Sequence, residues 1–202
     1  MKLLACPKCH QQLHLENKTL KCENNHCYDI SKRGYINLLL NPDKATNNPG
    51  DSKESLVARK AYLNKGYYDP ILNQVITCID EFKHQDDLSI LDLGCGEGYY
   101  TKSLKEAFIK DNIYGLDISK IAIDMATRYR KDVTWLVGNS KNIPILNHSL
   151  DFICALFTVV NQDELKRALK EDGYIIHVTA NNQHLIEIKE LIYDEIKVKS
   201  DK

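Results

Sequence analysis

Apolar and polar positions change period along this chain, and the change divides it. Between residues 13 and 20, Leu13, Leu15 and Leu20 alternate with polar neighbours around Glu16-Asn17-Lys18, which predicts a small hairpin. From residue 71 the period becomes helical, with Ile71, Val75, Ile79 and Phe82 on one stripe. Strands and helices then alternate. We expect strands over 89–93, 112–117, 134–137, 151–157 and 174–178, and helices over 71–82, 101–110, 120–129, 162–169 and 185–196. Such alternation predicts an α/β fold, a parallel sheet covered on both faces with ligands at the carboxyl ends of the strands. Residues 28–70 read as a connecting arm: short extended pieces at 28–30 and 35–40, a turn-rich loop over 41–52, and a helix over 53–64 stopped near Gly66.

Composition adjusts this picture without overturning it. The 202 residues are 43% hydrophobic, enough for one full core and a small appendage. A net charge of -1 excludes a uniformly basic protein. It conceals an asymmetry, because residues 1–68 hold eleven Lys+Arg against six Asp+Glu (+5), leaving sixteen against twenty-two (-6) for the remainder. A basic front on an acidic body suits a polyanionic partner, and equally an ordinary solvated surface. No window approaches the roughly 20 apolar residues of a membrane span. The few apolar residues before Cys6 are far short of a signal sequence, so a cytoplasmic setting and no membrane partner are expected.

In such a setting, clustered cysteines bind metal more often than each other. Cys6-x2-Cys9, twelve residues, then Cys22-x3-His26 (or Cys22-x4-Cys27) is ligand spacing for a tetrahedral zinc knuckle, with His26 taken ahead of Cys27 as the fourth ligand. So short a segment has little core, and the metal would supply its folding free energy.

The second chemical signal is Asp92-x-Gly94-Cys95-Gly96-Glu97-Gly98, where a predicted buried strand turns into a predicted helix. A dinucleotide loop would read Gly-x-Gly-x-x-Gly, but Tyr99 occupies the last glycine's place. The spacing instead resembles motif I of Rossmann-like methyltransferases, which implies S-adenosylmethionine as cofactor. Asp117, ending the second strand, can accept hydrogen bonds from both ribose hydroxyls. Asn139 and Ser140 follow the third strand, where adenine contacts usually arise in this fold.

Taken in order, Cys6-Pro7-x-Cys9, Cys22-Glu23-Asn24-Asn25-His26, Arg33-Gly34-Tyr35, Pro49-Gly50-Asp51-Ser52, Ala58-Arg59, Gly66-Tyr67-Tyr68 and the 91–101 loop are similar to the RlmA family. The likeness extends to His184-Leu185-x-Glu187 and covers essentially the whole chain. It implies a class I methyltransferase acting on N1 of a guanine in 23S rRNA, with zinc on Cys6, Cys9, Cys22 and His26. It further implies cofactor contacts from Tyr68, Gly96, Glu97, Gly98 and His184, beside Asp92, Gly94 and Asp117. The implied division is a zinc-binding domain at 1–36, an arm at 37–70 and a Rossmann-like domain at 71–202. The zinc knuckle and basic arm would hold an rRNA stem-loop, and a homodimer is a further expectation. No catalytic residue is assigned, although Asn161 and Asp163 fall near the end of the fourth strand. Thr158-Val159-Val160-Asn161 replaces the proline-containing segment of the family, and the chain stops where the fold ordinarily adds two strands. A shortened chain that binds cofactor or RNA with impaired catalysis is therefore one alternative, and a small-molecule methyltransferase another.

Overall fold

The computed structural model of the chain describes residues 1–40, 50–181, 183 and 186–192. At the amino end, β1 (His14–Glu16), β2 (Thr19–Lys21) and β3 (Cys27–Asp29) form a three-stranded antiparallel sheet. Asn17 takes the left-handed conformation (φ 59°) that closes the hairpin, one that asparagine tolerates. The third strand has no alternating pattern of its own and is set by pairing with β2.

The main sheet has six strands, all parallel, in the order β4-β7-β6-β5-β8-β9. They are β4 (Ile36–Asn37), β5 (Ser89–Leu93), β6 (Asn112–Asp117), β7 (Thr134–Val137), β8 (Leu150–Leu156) and β9 (Leu169–Val178). Every residue of β5 and β8 is buried, which explains their unbroken apolar runs. The helices are α1 (Lys53–Leu63), α2 (Asp69–Phe82), α3 (Tyr99–Ala107), α4 (Lys120–Ala126), α5 (Gln162–Ala168) and α6 (Ile186–Ile192). The chain leaves β5 toward β6 on one side and returns through β8 on the other. A crevice therefore opens beyond the carboxyl ends of these three strands.

Several expectations need correction. The expected division after residue 36 cuts through β4, and the arm begins as an edge strand of the main sheet. Ile36 also bridges Ile30 across a short turn, so the segment looks like a local connection until its parallel partner, β7, is known. Strand β9 begins at Leu169, not 174, because α5 passes directly into it. A register shift between Leu150 and Phe152 absorbs the irregularity. Helix α3 starts two residues early and stops at Ala107, with Gly98 as its N-cap. Helix α6 spans only Ile186–Ile192 among the described residues.

The two faces of the sheet are covered differently. One packs α2, α3 and α4 through Val75, Ile79, Leu104, Ile123 and Ala126 onto Ile90, Ile113, Trp135 and Phe152. The other carries α5 and the amino-terminal unit, whose Leu4, Cys6, Leu13, Leu20 and Cys22 share one buried cluster with Leu91, Leu93, Leu116 and Ile153. Between β7 and β8, over residues 138–149, there is no helix. Instead Ile143 and Ile145 are buried and the strand-like contact is backbone: Ala5 N–H donates to Pro144 O (3.1 Å) and Leu146 N–H to Leu3 O (2.9 Å). The zinc-type unit thus serves as part of a covering layer. Among the described residues, no helix is long and apolar enough to cross a membrane.

Candidate functional site

Strand β5 delivers the backbone into a loop at 94–98 that only glycine can follow at two points. A Cβ on Gly94 (φ +73°) would lie 2.3 Å from Thr158 Oγ1. One on Gly98 (φ +90°) would lie 2.8 Å from Trp135 Cη2. The first keeps the loop against the end of β8; the second lets α3 dock on β7. Gly94 and Cys95 N–H both donate to Leu116 O, at 2.8 and 3.0 Å. Gly96 N–H donates to Asp117 Oδ2 (2.9 Å), while Ser119 N–H donates to Oδ1 (2.7 Å). The acid at the end of β6 therefore ties the loop to its neighbouring strand.

Around this loop lies a cleft of about 840 Å³. Gly94, Gly96, Glu97 and Asp117 line its floor, Arg59, Tyr62 and Leu63 of α1 one wall, and Tyr68 and Phe157 another. Tyr62, Tyr68 and Phe157 make an aromatic row, with edge-on ring centroids 6.1 and 5.7 Å apart. Phe157 holds φ +56°, a strained conformation for an aromatic residue and a frequent mark of functional sites. A side pocket of about 110 Å³ is lined by Asn139, Ser140 and Asp117.

Three acids, Asp51, Glu97 and Asp117, and one base, Arg59, line the cleft. Burial pushes the carboxyls of Glu97 and Asp117 above their ordinary range. Glu97 is 2% exposed, and its Oε1 has no hydrogen-bond partner among the described residues, nor has the Tyr100 hydroxyl beside it. Buried polar atoms without partners are rare and costly, so two lining one cleft suit a hydrogen-bonding ligand. Arg59 Nη2 pairs with Asp51 Oδ2 (2.7 Å) at the mouth. Asp92 has a different place. Its carboxylate is 1% exposed, does not line the cleft, and accepts from Thr101 Oγ1 at 2.5 Å beneath the loop. Gly98 likewise faces the packed interior. These two of the expected cofactor residues position the loop from below.

The four expected zinc ligands converge. Their donor atoms lie within 4.8 Å of one another. His26 Nδ1 is 3.4 Å from Cys6 Sγ, 3.5 Å from Cys9 Sγ and 3.4 Å from Cys22 Sγ, and Cys9 and Cys22 sulfurs are 3.7 Å apart. Bonds of about 2.3 Å to sulfur and about 2.1 Å to nitrogen give tetrahedral edges of roughly 3.8 Å between sulfurs and 3.6 Å between sulfur and nitrogen. The donor set fits Zn²⁺. A hydrogen bond from the Gln11 backbone, first among several, pulls the Cys9 thiol down to about 6, toward the ligating thiolate. Cys27 is exposed, its thiol 3.5 Å from Asn25 O, and stands outside the cluster. Tyr28, which sequence reasoning passed over, places its hydroxyl 3.2 Å from Cys6 Sγ.

Other expected residues separate from the site. Asn161 accepts from Asp163 and Glu164 N–H as the cap of α5, and neither Asn161 nor Asp163 lines the cleft. His184 lies outside the described residues. Sequence reading missed Arg59, Tyr62 and Phe157. Arg59 looked like part of the solvated face of a basic helix and Tyr62 carried no signal of its own; the strain at Phe157 leaves no trace in composition.

Comparisons with known proteins agree with this geometry. Residues 4–45 match the family model described as "RlmA, N-terminal", a zinc ribbon, and residues 90–173 match "Methyltransferase domain". The Bacillus subtilis (strain 168) protein named "Putative 23S rRNA (guanine-N(1)-)-methyltransferase YxjB" is 30% identical over 96% of this chain and 70% of its own length. The 23S rRNA (guanine(748)-N(1))-methyltransferase of Streptomyces fradiae is 28% identical over 93% of this chain and 67% of its own. Among solved structures, the plantazolicin methyltransferase BpumL superposes with a TM-score of 0.57 at 18% identity, covering 72% of this chain and 60% of that one. That likeness concerns the fold. With its zinc ribbon, its methyltransferase sheet and this relationship along most of its length, the chain belongs to the RlmA family of 23S rRNA (guanine-N1)-methyltransferases.

Proposed function

We propose that this chain methylates N1 of a guanine in 23S rRNA, using S-adenosylmethionine. The observation that carries the reading is the cleft beyond β5, β6 and β8, where the glycine loop, the Asp117 carboxylate and two buried polar atoms without a partner among the described residues meet an aromatic wall. S-adenosylmethionine supplies an activated methyl on a positively charged sulfur and departs as a neutral thioether. The chain's part is to bind, orient and exclude water.

Gly94, Gly96 and Glu97 would cradle the methionyl part, with Asp117 on the ribose hydroxyls and Tyr68 across the cleft. Asp117 already accepts two backbone N–H bonds, and a carboxylate retains lone pairs for the ribose. Buried carboxylates raised by desolvation gain from a cation nearby, which suits a sulfonium ligand. Tyr62, Tyr68 and Phe157 offer flat apolar surface to a planar base drawn out of its stack. His184 belongs to the proposed cofactor set by resemblance alone. Cys6, Cys9, Cys22 and His26 would hold a structural zinc, since four protein donors leave no open coordination position.

Primer extension tests the reading. The chain is incubated with unmodified 23S rRNA and S-adenosylmethionine. A methyl on N1 blocks the Watson–Crick edge, so reverse transcriptase should halt beside one guanine. If a chain that binds S-adenosylmethionine produces no stop anywhere along the RNA, the proposal fails.

A further inference from the structure

At the outer edge of the main sheet, the turn joining β3 to β4 meets the loop that enters β7. Together they form a pocket of about 240 Å³ lined by Lys32, Arg33, Arg130 and Lys131 over Val133 and Trp135. Cations from segments far apart in sequence converge there, an arrangement that self-repulsion opposes unless an anion joins them. Among the described residues, two of these four cations have acidic partners. Arg33 Nε pairs with Asp124 Oδ1 (3.0 Å), and Arg130 grips Asp132 through two nitrogens (2.9 and 2.7 Å). Lys32 and Lys131 are exposed, and no ion pair engages either among the described residues. The site is also held in shape: Trp135 Nε1–H donates to Arg130 O (2.8 Å), and Gly34, at φ +93°, leaves open space above the turn.

The pocket lies at the amino end of β7 and the cleft beyond the carboxyl ends of the sheet. Tyr129, next to Arg130, lies under Lys60 Nζ (4.4 Å to the ring centroid) with Lys102 Nζ at 5.6 Å. Lys60 follows Arg59, which lines the cleft from α1. Because Asp117 and Val137 are level in the sheet, the pocket at the start of β7 lies about one strand length away, roughly 13 Å at 3.3 Å per residue. Positive charge interleaved with an aromatic ring along a track of this length matches a sugar-phosphate strand better than one small anion.

We infer that this pocket and track bind the backbone of the RNA strand whose guanine enters the cleft, an inference that rests on the function proposed above. The contacts are to phosphate and not to base edges, so they set affinity and register without reading sequence.

The test is a Lys32→Ala/Lys131→Ala variant of the full chain, assayed for binding to the 23S rRNA segment that gives the primer-extension stop, across a series of KCl concentrations. Both side chains are exposed and outside the cleft, so melting temperature and S-adenosylmethionine affinity should match wild type. RNA affinity at low salt should fall about tenfold or more, and the slope of log K against log salt should become shallower by roughly 1–2. Lys32→Arg/Lys131→Arg should restore both. If the alanine variant matches wild type in affinity and slope, the inference is overturned while the methyltransferase reading stands. If wild type binds no RNA, both fall. Displacement of the RNA by millimolar inorganic phosphate would reassign the pocket to a small free anion and also overturn the inference.

Discussion

Asp92 and Asp117 look alike in sequence, each an acid at the end of a buried strand, yet they do different work. Asp117 reaches the cleft; Asp92 is sealed beneath the loop with Thr101. Burial, first among several causes, pushes the Asp92 carboxyl up to about 7 from 3.8. Between these values the folded chain holds a proton that the unfolded chain has released, so stability falls as pH rises from about 4 to 7 and stays low above. Asp92→Asn keeps an acceptor for Thr101 and removes the charge. Its melting temperature without cofactor should exceed wild type at pH 8, by at most about 4 kcal/mol in stability at 1.36 kcal/mol per unit. That advantage should shrink as the pH is lowered toward 5.5. A loss of stability that is equal at both pH values would show that charge is not what burial opposes here. The glycine spacing was legible because backbone conformation is a local demand. Which carboxylate faces the ligand was not, since it depends on how β5 and β6 lie beneath the loop.

Helix α1 shows the same contrast one level up. Its existence is local: Ser52 caps it, accepting from Ser55 N–H at 3.2 Å, and no glycine or proline interrupts it. Its task is not local, because Lys and Arg among leucines describe a solvated helix as well as a cleft wall. Leu56, 1% exposed, anchors it, while Arg59, Tyr62 and Leu63 face the cleft. Leu56→Ala should cost about 2–5 kcal/mol as a core truncation. If α1 forms part of the cofactor site, calorimetric titration should also show S-adenosylmethionine affinity reduced about tenfold or more. Unchanged affinity in a folded variant would remove α1 from the site. Strand β3 was legible only as a short extended piece at 28–30, since three residues with no alternation name no partner, and its place beside β2 comes from the tertiary structure.

Across the whole molecule, the metal unit and the methyltransferase sheet share a core, so they should not unfold separately. Leu4, Leu13 and Leu20 pack with Leu91, Leu116 and Ile153, and β4 closes the edge beside β7. The lone Trp135 lies on the opposite face, 2% exposed, and reports on the main sheet. Removing zinc by chelation, or replacing Cys9 with Ser, should lower the unfolding midpoint seen by Trp135 fluorescence, in one transition. An unchanged Trp135 midpoint after metal loss would mean that the ribbon is an independent appendage.

The sequence by itself determined the elements and both chemical signatures. Periodicity, turn residues and ligand spacing all act over a few residues, where the chain's own stereochemistry decides the outcome. Only the tertiary structure decided that the zinc unit takes a helical layer's place, that α1 walls the cleft, and that two remote basic segments make one pocket. Each of these is a contact between distant parts of the chain, fixed by how complementary surfaces bury one another, and no local pattern encodes it.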